Sequence, residues 1–212
     1  MRILFLLIVL SVTSALQSQV VIKENAIQSK YAFPLVTSKA KAVVVYDTDD
    51  YLVVHKTAEL FVSDVESVTG QQLRLTDKLK GDKEIIIVGT VEKNRLIRQL
   101  AEKGKLDISS LEGAWERFLI QTVSDRRGAA YGLFSLSEMM GVSPWYWWAD
   151  VPVKKHKTLY VDAPATLSKT PSVKYRGIFL NDEDWGLKPW AAKTFEKERG
   201  NIGPRTYAKI CE

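Results

Sequence analysis

Asn181, Asp182, Glu183, Asp184 and Trp185 follow one another without interruption, directly after the apolar stretch VKYRGIFL. Tyr175, Ile178, Phe179 and Leu180 give that stretch the aromatic and branched character of a strand. Strand–helix barrels keep their active residues at the carboxyl ends of their strands, so a catalytic role for the acids is one reading. The other is plainer: acids after a strand serve as solvated loop residues or helix caps. Residue types and order leave both open.

The elements around this block are those of a barrel unit. After the acids comes an aromatic loop with Trp185, Pro189 and Trp190, then a helix predicted to open at Pro204, a residue favoured at a first helical position. That helix, PRTYAKICE, spaces Tyr207 and Ile210 to bury one face, and the sequence ends inside it. A strand, a loop and a helix form the repeating unit of a (β/α)₈ barrel. Residues 169–212 therefore read as the first strand and partial helix of a truncated barrel.

Residues 19–168 read as a mixed-sheet α/β sandwich, because strands and helices alternate along them. VVIKEN and AKAVVVYD are strand candidates, and the acids of residues 47–50 offer caps for a helix over 51–68. In that helix Val54, Ala58, Phe61, Val65 and Val68 recur at spacings of four and three, and Gly70 ends it. Residues 72–75 suit a short strand. EIIIVG suits a central one, since three consecutive isoleucines call for cover on both faces. TVEKNRLIRQLAEKG predicts a helix stopped by Gly104, and lone Gly89 before it lacks the companion glycines and lysine of a phosphate loop. Residues 115–123 alternate as one further strand. RGAAYGLFSLSEMM follows as a helix capped by Asp125 and closed by Gly141 and Pro144, and KTLYVD is the last strand of this part. The Pro- and Ser/Thr-bearing stretch APATLSKTPS marks a domain boundary.

PWYWWADV gathers Trp145, Trp147 and Trp148 beside Tyr146. It reads either as a hydrophobic plug between packing units or as an aromatic wall for a sugar ring.

Composition narrows the function classes. The formal net charge is +5, but the 30 basic residues are interspersed with 25 acids and no basic run exceeds Lys154 and Lys155, which argues against nucleic acid as a partner. MRILFLLIVLSVTSA has one basic residue, an apolar run and then small residues, the order of a secretory signal and too short to span a bilayer. Residues 1–18 are expected to be removed, giving a secreted or periplasmic protein without a membrane anchor. The single cysteine, Cys211, forms no internal disulfide and reads as a small hydrophobe on a helix. His55 and His156 lack metal-ligand spacing, so no metal site is expected.

Three stretches carry a family resemblance. DRRGAAYGLFSLSEMMGVSPWYWWADVPV, followed by YRGIFLNDEDWGLKPWAAKTFE and GNIGP, resembles glycoside hydrolase family 115, the xylan α-1,2-glucuronidases. The match is strongest over residues 125–212 and extends less distinctively back to about Ala40. The resemblance implies a longer protein, with an α/β domain before a (β/α)₈ barrel and further domains behind it. It implies removal of glucuronic acid or its 4-O-methyl ether from glucuronoxylan or its oligosaccharides by inverting hydrolysis, with no cofactor. It places Asn181, Asp182 and Glu183 in the pocket and leaves open whether either acid does proton chemistry; Asp182 and Glu183 stand as the candidate catalytic residues, and Asn181 and Trp185 as the candidate substrate-binding ones. The principal acid and base, and the cations that hold the uronate, are expected on later barrel strands, so residues 1–212 are expected to be inactive alone. Two other readings are a non-catalytic carbohydrate-binding module built on the tryptophans, and a different barrel hydrolase such as a hexosaminidase.

Overall fold

A computed structural model describes residues 20–26, 28–29, 31–111, 113, 116–120, 122–123, 126–144, 146–147, 149, 151–163 and 168–211. The expected signal, Trp115, the cap residue Asp125, Trp145, Trp148 and part of the expected linker lie outside the described residues. The chain divides into two compact units, Met1–Pro171 and Ser172–Glu212.

The first unit is mixed α/β. β1 (Val21–Lys23), β8 (Leu159–Asp162) and β2 (Ala32–Val36) form an antiparallel sheet with β8 in the middle. β4 (Arg74–Thr76), β3 (Val43–Val45) and β5 (Ile85–Ile87) form a parallel sheet with β3 in the middle. A tight turn joins the two, with Thr37 N–H donating to Ala40 O at 2.8 Å and Ala42 N–H to Leu35 O at 3.0 Å. β3, the 18-residue helix α1 (Leu52–Thr69) and β4 make a parallel crossover. α1 buries Val54, Ala58, Phe61, Val65 and Val68, the face that its periodicity predicts. It ends at Gly70, whose φ of 69° is the left-handed conformation that a glycine takes without strain.

α2 (Arg95–Glu102) follows β5, and α3 (Arg126–Met139) packs against α1. Leu35, Val44, Phe61, Val65, Leu136, Met140 and Leu159 meet in one core that draws on both sheets and both long helices.

Four expectations are corrected here. β5 is not central: among the described residues it pairs with β3 alone, and its isoleucines are only half-buried. Residues 115–123 do not form one strand. The described part turns back on itself as β6 (Phe118–Leu119) and β7 (Thr122–Val123), an antiparallel hairpin. The acids of residues 47–50 do not cap α1, which starts at Tyr51 without a side-chain cap. Asp50 instead accepts from Thr90 N–H at 2.7 Å and Thr90 Oγ1 at 2.9 Å. Asp47 accepts from Arg95 N–H, Nε and a terminal guanidinium nitrogen at 3.0, 2.8 and 3.0 Å. These donors sit where β5 leads into α2, so the acids tie the two parallel strand ends together. Finally, residues 173–180 form no strand. An extended segment becomes a strand only when another backbone pairs with it, and the rest of the second unit is turn and helix.

The second unit holds one α-turn, α4 (Leu187–Trp190), a wider π-turn over Ala191–Phe195, and α5 (Pro204–Cys211). Trp190 stacks on Phe195 with ring centroids 5.7 Å apart, and the Arg205 guanidinium lies 5.4 Å above the Phe195 ring.

Candidate functional site

Residues 181–185 form an exposed turn held by its own polar atoms. Asn181 bends the chain: its Oδ1 accepts from Glu183 N–H at 3.2 Å and its backbone carbonyl accepts from Leu187 N–H at 2.7 Å. The second bond closes the loop onto the first residue of α4. Gly186 permits the closure, because a Cβ there would stand 2.3 Å from the Asn181 carbonyl oxygen.

Each acid has a distinct partner. Asp182 accepts from the Tyr207 hydroxyl, which α5 projects toward it. Glu183 accepts from the Trp185 indole N–H at 2.6 Å, and Asp184 pairs with Lys188 one helical turn on, also at 2.6 Å. The Lys188 ammonium holds the Asp184 carboxyl below its ordinary range, and Asp184, then Asp182, pushes Lys188 up. Asp182 likewise pushes the Tyr207 phenol up. Asp182 and Glu183 each engage one oxygen in these bonds, while Trp185 is 80% exposed and its indole N–H donates to Glu183. The turn can thus offer carboxylate oxygens and an open indole face to a polyhydroxylated ligand.

Two residues that the sequence reading did not place matter to this geometry. Tyr207, read as a buried face residue, is 36% exposed and spends its hydroxyl on Asp182. Glu196, not singled out at all, is buried and caps α5: its Oε2 accepts from Gly203 N–H at 2.9 Å, Thr206 N–H at 3.0 Å and Thr206 Oγ1 at 2.6 Å. The Thr206 hydroxyl and these amides hold its carboxyl below the ordinary range. No local motif announces it, because its partners lie seven and ten residues downstream.

The other candidates do not join the turn. Among the described members of the aromatic cluster, Tyr146 is exposed and Trp147 half-buried. His55 stacks on Tyr46 at 4.3 Å, His156 Nδ1 lies 2.6 Å from Glu24 Oε1, and no group of metal-ligating side chains exists among the described residues. A cavity of about 300 Å³ in the first unit is lined by residues such as Phe33, Ile85, Ile87, Leu119, Leu133 and Val161. It sits at the open edge of β5, and none of its described lining residues is charged.

Comparison with known proteins decides the family. A model of glycosyl hydrolase family 115 matches residues 168–212, the segment that contains the turn. One solved structure, a family 115 4-O-methyl-alpha-glucuronidase with specificity for decorated arabinogalactans, matches at 34% identity with a TM-score of 0.66. The chain belongs to glycosyl hydrolase family 115. The alignment covers 84% of this chain and 24% of that glucuronidase, so the chain spans about a quarter of the relative's length. No curated protein sequence matches. The likeness to that structure takes in the first unit as well as the second, since 84% of the chain is covered.

Proposed function

We propose that this chain is the N-terminal part of an exported family 115 hydrolase that removes glucuronic acid, or its 4-O-methyl ether, from a plant polysaccharide by inverting hydrolysis. The observation that carries this reading is that the family match covers residues 168–212, in which residues 181–185 stand open around a turn that Gly186 allows.

In this reading residues 173–180, in no ladder here, pair with later strands of the full-length protein as the first strand of a (β/α)₈ barrel, and the turn lies at its mouth. Asn181 orders the turn and offers its amide to sugar hydroxyls, and Trp185 stacks its exposed indole on a ring. Asp182 and Glu183 contact the uronosyl unit through the oxygens that Tyr207 and Trp185 leave available. Inversion needs one carboxylic acid to protonate the leaving oxygen and a carboxylate across the ring to activate water, about 6.5–9.5 Å apart. Adjacent acids on one turn flank one side of a sugar, so the opposing group comes from elsewhere in the barrel. No cofactor enters this chemistry. The preferred backbone is glucuronoxylan in our reading, with decorated arabinogalactan, the specificity of the solved relative, as the second candidate.

The test is release of free uronic acid by the full-length protein from glucuronoxylan and from decorated arabinogalactan, with the product anomer followed by NMR. Initial formation of the β-anomer from an α-linked substrate is expected. Release from neither polysaccharide overturns the proposal, and initial formation of the α-anomer overturns inversion.

A further inference from the structure

Resting on the reading that Asp182 contacts the substrate, we propose that Tyr207 is a positioning residue for that acid. Its phenol, projected from α5, fixes one carboxylate oxygen so that the other is presented to the uronosyl unit.

An exposed aspartate at a turn has rotamers to choose from, and ordering it at the moment of binding costs conformational entropy. A hydroxyl donating to an ionised carboxylate makes a strong charge-assisted hydrogen bond that removes this freedom in advance. Tyr207 reaches Asp182 across 25 residues, so the bond is a tertiary one and not a by-product of the local turn. The donor is itself held. Glu196 locks the first turn of α5 through Gly203 and Thr206, and Arg205 covers the Phe195 ring beside it. A Cβ on Gly203 would stand 2.6 Å from Glu196 Oε1 and 2.7 Å from Arg199 Cδ, so these side chains would have to shift to admit one. Asp182 pushes the phenol up from its ordinary range, so Tyr207 remains a neutral donor at neutral pH.

Two measurements test the proposal. In the 212-residue chain, labelling tyrosine at Cζ with ¹³C reports the Tyr207 ionisation without any turnover. Asp182→Asn is expected to bring that ionisation down, and an unmoved ionisation shows that the contact is absent and overturns the proposal. In the full-length protein, Tyr207→Phe is expected to lower kcat/KM on an α-linked 4-O-methylglucuronosyl oligosaccharide about tenfold, the effect of one charge-assisted hydrogen bond, with the melting temperature unchanged. The loss should fall in the same parameter, kcat or KM, as that of Asp182→Ala. Combined with Asp182→Ala it should add nothing, because Tyr207 acts only through that carboxylate. If Asp182→Ala impairs the enzyme while Tyr207→Phe does not, or if the two losses multiply, the positioning role is wrong and the functional reading stands. If Asp182→Ala hydrolyses at the parent rate, the assignment of Asp182 to the substrate falls and the positioning role falls with it.

Discussion

The backbone carbonyl of Asn181 occupies the space that a side chain on Gly186 would need, 2.3 Å from the position of its Cβ. That carbonyl also accepts the Leu187 N–H, so the two residues close the acidic turn onto α4 together. The obstacle is backbone, which cannot swing aside as the tip of a long side chain can.

Gly186→Ala is therefore expected to break the Asn181–Leu187 hydrogen bond and open the turn. The full-length enzyme should lose activity by at least about tenfold while the first unit keeps its stability, since the strain is local to the loop. Thermal denaturation beside uronic acid release checks it, and a variant with parent activity would show that the turn has no part in the site.

The three consecutive acids should separate by partner. Removing a group that transfers a proton costs about 10² to 10⁴ in rate, whereas losing an orienting contact costs less. Asp182→Ala and Glu183→Ala are expected to reduce turnover in the full-length protein with melting unchanged, and the size of each loss distinguishes proton transfer from positioning. Asp184 is paired with Lys188 at the surface, so Asp184→Ala should show the smallest effect of the three. Steady-state kinetics on glucuronoxylan settle the order.

Asp47 makes the first unit sensitive to acid. The hydrogen bonds from Arg95 hold its carboxyl down to about 2 in the folded chain, against an ordinary value of about 4 when unfolded. A depressed folded value means that the stabilisation is fully present above the unfolded value and is lost as pH falls through the folded one. Asp47→Asn should cost about 1–2 kcal/mol at pH 7, reduced from the full linkage value because the Arg95 side chain is 61% exposed to water. The difference from the parent should shrink between about pH 4 and pH 2. Urea titrations at pH 7 and pH 3 give the comparison.

Export predicts a processed amino terminus. The mature chain is expected to begin between Leu16 and Gln19, after the small residues Thr13, Ser14 and Ala15. Intact-mass spectrometry of the exported protein reads the site, and a product retaining Met1 would remove the export proposal.

The elements legible in the sequence are those whose signals are local. The face of α1 follows from the three- and four-residue spacing of Val54, Ala58, Phe61, Val65 and Val68, and its end from Gly70. β3 follows from three consecutive valines. Pairing is not local, and there the reading failed. Ile85, Ile86 and Ile87 look central by composition, yet nothing in their order says that, among the described residues, β3 alone pairs with them. Residues 115–123 alternate well enough for one strand, while the described backbone reverses between Leu119 and Thr122. In the candidate site, the acids and Trp185 stand out as candidates because they are contiguous. Tyr207 and Glu196 were not, because their roles depend on partners 25 and ten residues away.

Residues 173–180, which join no strand ladder, also fix where this chain will be cut. Tyr175 and Phe179 are 89% and 93% exposed, and Lys174 and Arg176 stand in the same stretch, within a backbone that no ladder holds. Proteases act on extended segments that can enter their clefts, and here no unfolding step has to come first. Brief digestion with trypsin should nick the chain at these two basic residues before it reaches the interior of α1 or α3. The larger product, ending beside Lys174 or Arg176, would retain all eight strands described in the first unit, and the smaller would carry the acidic turn away with α5.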